Sequence, residues 1–133
     1  MRVLVVENSS HICKRLLSLL ADSGLFACLS CATGVAEALA RIADEPPDAM
    51  LLDLSLDDGS GFDVLTSLRS QGLALPVVVF SENDGWQYRG RALTLGANAF
   101  LCKSSQFEEI IPTLTRLLQL PACADGAGCG SAA

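Results

Sequence analysis

Asp53 closes an apolar run, Ala49-Met50-Leu51-Leu52, and precedes a Gly-rich turn, Leu54-Ser55-Leu56-Asp57-Asp58-Gly59-Ser60-Gly61, that leads into a helical pattern. A carboxylate so placed sits at the carboxyl end of a central strand, where open α/β sheets put their chemistry. Three further strand ends carry polar groups: Glu7-Asn8 after Val3-Leu4-Val5-Val6, Ser81 after Val77-Val78-Val79-Phe80, and Lys103 after Ala99-Phe100-Leu101-Cys102. Together they imply one shared site. An Asp carboxylate is ionised at neutral pH and is a nucleophile without a base to activate it. To receive a phosphoryl group it needs cations and hydrogen-bond donors for the dispersed negative charge, with attacking and leaving oxygens in line. A lysine, a hydroxyl and a hard divalent ion, magnesium above all, would meet that need. Taken singly, Lys103 or Ser81 would be an ordinary solvated or capping residue. Asp53 would not, because an ionised group after four apolar residues needs a charged partner at the same sheet edge to offset its desolvation.

The elements that must position these groups alternate: short β-branched runs are followed by segments of 3.6-residue period, the pattern of repeated βαβ units and a parallel sheet. The fold class is therefore α/β, with five strands and five helices. The first helix starts near Ser9 or Ser10, turns Ile12, Leu16, Leu19 and Leu20 inward, and stops at Gly24. The second presents Val35, Leu39 and Ile42 before Glu45-Pro46-Pro47 breaks the chain. The third runs from about Ser60 to Ser70 with Val64, Leu65 and Leu68 inward. The fourth is the least helical, since Gly85 and Gly90 each cost about 1 kcal/mol relative to Ala in a helix interior, although Tyr88, Ala92 and Leu95 share a face. The fifth has the strongest stripe, Phe107, Ile110, Ile111, Leu114, Leu117 and Leu118, and Pro112 within it predicts a kink or a start near Thr113. Residues 1–120 are expected to form one domain. The Gly/Ala/Cys tail, 121–133, is expected to be disordered, either as a natural terminus or as the start of a linker.

A chain of 133 residues is one domain's worth, and with 50% hydrophobic and 18% charged residues it can bury a core. A net charge of −6 argues against direct nucleic-acid binding, which needs clustered Lys and Arg. No run approaches the roughly 18 apolar residues of a membrane span, so a soluble cytoplasmic protein is expected. Of the six cysteines, Cys28 and Cys31 form a C-x-x-C, but on a strand residues three apart face opposite ways, so they read as small buried hydrophobes. Cys123 and Cys129 lie in the tail, and no four-ligand zinc pattern is present.

On these strand-end residues, the span from Met1 to about Leu120 resembles the receiver domain of bacterial response regulators, the phosphoacceptor half of two-component signalling. Glu7 and Asn8 precede Asp53 by 46 and 45 residues, Ser81 follows it by 28, and Lys103 follows Ser81 by 22, which matches that family's spacing. The resemblance implies a flavodoxin-like, doubly wound five-stranded parallel sheet in the order 2-1-3-4-5. It also implies Asp53 as phosphoacceptor, with Glu7, Asn8, Asp53 and the Ser55 carbonyl around a magnesium ion, Glu7 through water. Lys103 and the Ser81 hydroxyl would meet the phosphoryl oxygens, and Ser81 with Phe100 would form the switch. The implied partners are a histidine kinase or phosphotransfer protein, a downstream protein target on the face of the fourth helix, fifth strand and fifth helix, and possible homodimers. The implied chemistry is phosphoacceptance with slow self-dephosphorylation, not turnover, and Ser55 and Asn83 occupy positions that influence hydrolysis in related domains.

Four residues depart from the family pattern. Asn8 replaces an acid and predicts weaker magnesium binding, and Ser104 stands where proline is common, predicting a trans Lys103-Ser104 peptide. Asp57 also stands where proline is frequent, and with Asp58 it is expected to add carboxylates near the metal. Glu82 follows the switch hydroxyl where a small residue is usual. Asn8, Glu82 and the glycine-interrupted fourth helix motivate the alternative, a pseudo-receiver that binds proteins without control by phosphorylation. An aspartyl-phosphate hydrolase would need an acid where Ser55 stands, and a nucleotide or flavin site would be repelled by Glu7.

Overall fold

Buried runs and amphipathic segments alternate along the chain as β1 (Arg2–Val6), α1 (Ser10–Asp22), β2 (Cys28–Ala32), α2 (Val35–Asp44) and β3 (Ala49–Leu52). A hairpin of two short strands follows, β4 (Ser55–Leu56) and β5 (Gly59–Ser60), then α3 (Gly61–Ser70), β6 (Val77–Ser81), α4 (Trp86–Thr94) and β7 (Ala99–Cys102). A 3-10 turn, Phe107–Glu109, opens onto α5 (Ile110–Leu118). This computed structural model describes residues 2–119 except Ala27, Asn83, Asp84, Ser104 and the side chain of Cys28. The expectations for the tail, including Cys123 and Cys129, for Asn83, for the Cys28 side chain and for the Lys103-Ser104 peptide lie outside the described residues.

The main sheet is parallel throughout, in the order β2-β1-β3-β6-β7. With the hairpin strands set aside this is the flavodoxin-like 2-1-3-4-5 arrangement. Strands β3 and β6 are buried along their whole length, as expected of parallel strands covered on both faces. Alternate residues feed two cores. Leu4, Val6, Met50, Leu52, Val77 and Val79 pack with Ile42, Leu65, Leu68 and Ala92 of α2, α3 and α4. Val3, Val5, Leu51, Val78 and Phe80 pack with Leu16 and Leu20 of α1 and Ile110 and Leu114 of α5. No helix among the described residues is long and apolar enough to cross a membrane.

The helix ends follow their capping chemistry. The Ser9 hydroxyl accepts the Ile12 N–H, and Ser60 with Asp63 forms a capping box at α3. Three expectations need correction. The buried face of α1 is Cys13, Leu16 and Leu20, with Ile12 and Leu19 only partly buried, because the stripe is rotated toward Cys13. Tyr88 is exposed, leaving Ala92 as the buried residue of α4. Pro112 neither kinks α5 nor delays it to Thr113: it is the third residue of a helix beginning at Ile110, within the first turn, where a missing N–H costs nothing.

The cysteines differ as well. Cys13 of α1 and Cys31 of β2 are joined in a disulfide with Cα atoms 6.9 Å apart, so Cys31 is not merely an apolar filler. Cys102 is buried at the end of β7.

Candidate functional site

Because the strands are parallel, their carboxyl ends share one edge. The register sets Val6 beside Leu52, which makes Glu7 and Asp53 the next residues on adjacent strands, and Ser81 beside Cys102, which makes Lys103 the next on β7. Backbone bonds extend the ladder past the strands: the Asp53 N–H donates to the Val6 carbonyl at 2.9 Å and the Lys103 N–H to the Ser81 carbonyl at 3.0 Å. Two strand spacings of about 4.8 Å separate β7 from β3, a span a lysine side chain can cross over the end of β6.

The lysine makes that crossing. Lys103 Nζ lies 2.7 Å from Glu7 Oε1 and 3.2 Å from Asp53 Oδ2. Both carboxylates are buried, Glu7 at 1% and Asp53 at 5% exposure. Glu7 Oε2 also accepts the Ser9 N–H at 3.2 Å, so the N-cap residue of α1 helps to fix its rotamer. Burial pushes the Glu7 carboxyl above its ordinary range; the Lys103 hydrogen bond opposes this and the Asp53 charge reinforces it. Burial alone would lower the Lys103 ammonium, but the bond to Glu7 and the two carboxylate charges outweigh it and hold the group above its ordinary value.

These groups open into a cleft of about 240 Å³ lined by Glu7, Asn8, Ser9, Ile12, Asp53, Ser55, Ser81, Glu82 and Lys103. Six of the seven residues singled out from the sequence therefore face one space. The seventh, Phe100, lies in the core at 3% exposure, with the Arg89 guanidinium 5.0 Å from its ring centroid and donating to its carbonyl at 3.4 Å. Asp57 and Asp58 are not among the lining residues. Asp58 instead turns away to the start of α2, where it accepts the Val35 N–H at 2.6 Å and the Ala36 N–H at 3.1 Å. This corrects the expectation for Asp58, whose carboxylate is engaged at α2 and not at the cleft. Ser9 and Ile12 are wall residues that the strand-end pattern missed, because Ser9 caps the following helix and Ile12 lies within it; the Ser9 cap was the available signal.

Two buried carboxylates face the Lys103 ammonium, and the neighbouring Asn8 and Ser55 are neutral residues with oxygens able to ligate a cation. Such an all-oxygen, net-negative donor set fits a hard divalent ion such as magnesium. No group of three or more His, Cys, Asp or Glu able to hold a metal occurs among the described residues, which sets the site apart from a zinc centre.

A model of the response regulator receiver domain matches residues 3–115. The two-component response regulator PhoP of Pseudomonas aeruginosa is 32% identical over 119 residues, covering 90% of this chain and 52% of that protein. The response regulator MprA of Mycolicibacterium vanbaalenii is 33% identical over 127 residues, covering 96% of this chain and 54% of that protein. The chain thus spans about half the length of the curated relatives it matches. Among solved structures, the receiver domain of the Francisella response regulator 1452 superposes with a TM-score of 0.83 at 24% identity, over 89% of this chain and 96% of that one. The BeF3-activated receiver domain of Klebsiella pneumoniae RstA superposes with a TM-score of 0.81 at 22% identity, over 90% and 99%.

Proposed function

The chain belongs to the response regulator receiver domain family, and from that premise we propose that Asp53 accepts a phosphoryl group from a partner histidine kinase or phosphotransfer protein. The observation that carries this reading is the Lys103 ammonium held between two buried carboxylates at the mouth of a polar cleft. An Asp53 oxygen attacks phosphorus as the bond to the donor imidazole nitrogen breaks; the bonding pair leaves on that nitrogen, which takes a proton from water. Lys103 exchanges its contact with Asp53 for the incoming phosphoryl oxygens, and the Ser81 hydroxyl donates to one of them. Glu7, Asn8, Asp53 and the Ser55 carbonyl would hold magnesium, which supplies charge neutralisation at the transferring group. Asn8 contributes an oxygen without a charge, so that affinity is weak for the family. Water slowly hydrolyses the aspartyl phosphate.

The output runs through Ser81 and Phe100. Modification adds about −1.5 to −2 charges, and this acts only through an element with two arrangements. The buried Phe100 under Arg89 supports the inward arrangement, which shapes the face of α4, β7 and α5 where exposed Trp86, Tyr88 and Leu93 offer a protein target or a second copy something to bind. A second reading, the pseudo-receiver, is favoured by one observation: Glu82 sets a further carboxylate on the cleft wall, where it repels phosphodonors.

The test is incubation with a small-molecule phosphodonor and magnesium, and separately with a cognate kinase, followed by intact-mass measurement. The wild type is expected to gain one phosphoryl group and Asp53→Asn none. No gain from either donor would leave the pseudo-receiver.

A further inference from the structure

We propose that Asp58 is a positioning residue for the acceptor site, tying the turn after Asp53 to the N-terminus of α2 and so fixing where the Ser55 carbonyl stands. The inference rests on the phosphoacceptor reading for its consequence, though not for its geometry. Asp58 sits at the tip of the β4/β5 hairpin and takes the first two N–H groups of a helix 22 and 23 residues earlier in the chain. It replaces a cap that α2 lacks, because the N-cap residue is Gly34 and supplies no side chain. Gly34 is also what lets the carboxylate close: a Cβ there would lie 2.5 Å from Asp58 Oδ1, and its three nearest atoms would all belong to Asp58. The two amide bonds hold the Asp58 carboxyl below its ordinary range although it is exposed to solvent.

The other end of the turn is pinned as well. The Gly61 N–H donates to the Leu54 carbonyl at 3.0 Å, and Gly61 packs so closely on the Asp53 carbonyl that a Cβ would strike it. Asp63 accepts the Ser60 N–H at 3.0 Å. The arch from Asp53 to Gly61 is therefore fixed at its base by Gly61 and at its tip by Asp58. Ser55, which pairs with Ser60 across the hairpin, lies between the two anchors. Releasing the tip frees Ser55 to shift while Asp53, Glu7 and Lys103 stay in place.

Removing Asp58 also uncaps α2, so the test must separate the tie from the cap. The double variant Gly34→Ser/Asp58→Ala does so, since a serine at an extended N-cap restores a local cap without reconnecting the hairpin. Wild type, Asp58→Ala and the double variant are compared by amide exchange in the absence of metal and by calorimetric titration with magnesium chloride. In Asp58→Ala, exchange is expected to accelerate at Val35, Ala36 and Ser55 to Gly61, and magnesium affinity to fall roughly tenfold, the low end for outer-shell partners of a metal site. In the double variant, protection returns at Ala36, the first amide an N-cap serine reaches, while Val35 and the hairpin still exchange fast, and affinity stays low. Hairpin exchange unchanged by Asp58→Ala, or hairpin protection or affinity restored by the serine cap, would overturn the tie. Hairpin exchange that responds as expected in a wild type that binds no magnesium would instead uphold the tie and remove the phosphoacceptor reading.

Discussion

The Lys103 ammonium serves two carboxylates at once, and that imbalance has a measurable cost. Glu7 and Asp53 are both buried, and the Asp53 charge helps to push the Glu7 carboxyl upward. Neutralising Asp53 leaves Lys103 and Glu7 as a matched pair at 2.7 Å. Asp53→Asn is therefore expected to stabilise the metal-free fold by on the order of 1 kcal/mol, read as a rise in Tm, and magnesium should narrow the difference by stabilising the wild type alone. A lower Tm for the variant would mean that the charge pair is balanced by groups other than Lys103. These residues were legible in the sequence because each is a polar group ending an apolar run, a pattern few other placements satisfy. The part played by Asp58 was not, since its partners are two amides at the start of a helix that nothing local connects to it.

Among the helices, α4 rests on the least burial. It buries Ala92, and guanidinium contacts add to this, Arg89 over Phe100 at 5.0 Å and Arg91 over Phe62 at 4.5 Å. Gly85 caps it from outside, whereas Gly90 lies within it with nothing near its Cα to obstruct a methyl group. Gly90→Ala should therefore stabilise α4 by about 0.5–1 kcal/mol, seen as slower exchange of its amides. The helix α2 responds to acid instead. Asp58 is held below its ordinary value near 3.8 by the Val35 and Ala36 amides, so its contribution is present above that value and is lost as pH falls through the lower, folded one. An acid titration followed at those two amides should show the transition, and Asp58→Asn should remove it. The alternation of strand and helix was readable from periodicity, but the inward set of α4 was not: Tyr88 has the right spacing and the wrong surroundings. Pro112 misled for a related reason, because its effect depends on its place in the helix, and the 3-10 turn that sets that place leaves no periodic trace.

At the scale of the whole molecule, the periodicities settled a parallel α/β architecture while leaving strand order open. Order depends on which crossovers pass over which face, and only the family resemblance implied it. The disulfide was hidden for the same kind of reason, its two halves lying 18 residues apart on a helix and a strand. Closing a loop of that length is worth up to about 3 kcal/mol, so thermal melts with and without reductant should differ by no more than that, and Cys13→Ser/Cys31→Ser should match the reduced protein. A sheet in which every pairing is parallel has a further consequence, because each partner strand must wait for a crossover before it can dock. The cleft draws on residues 7 to 103, and its cation comes last. While the polypeptide is still emerging from the ribosome, the two acids can meet before their counterion exists, so the charge of the cleft is balanced only once Lys103 has followed them out.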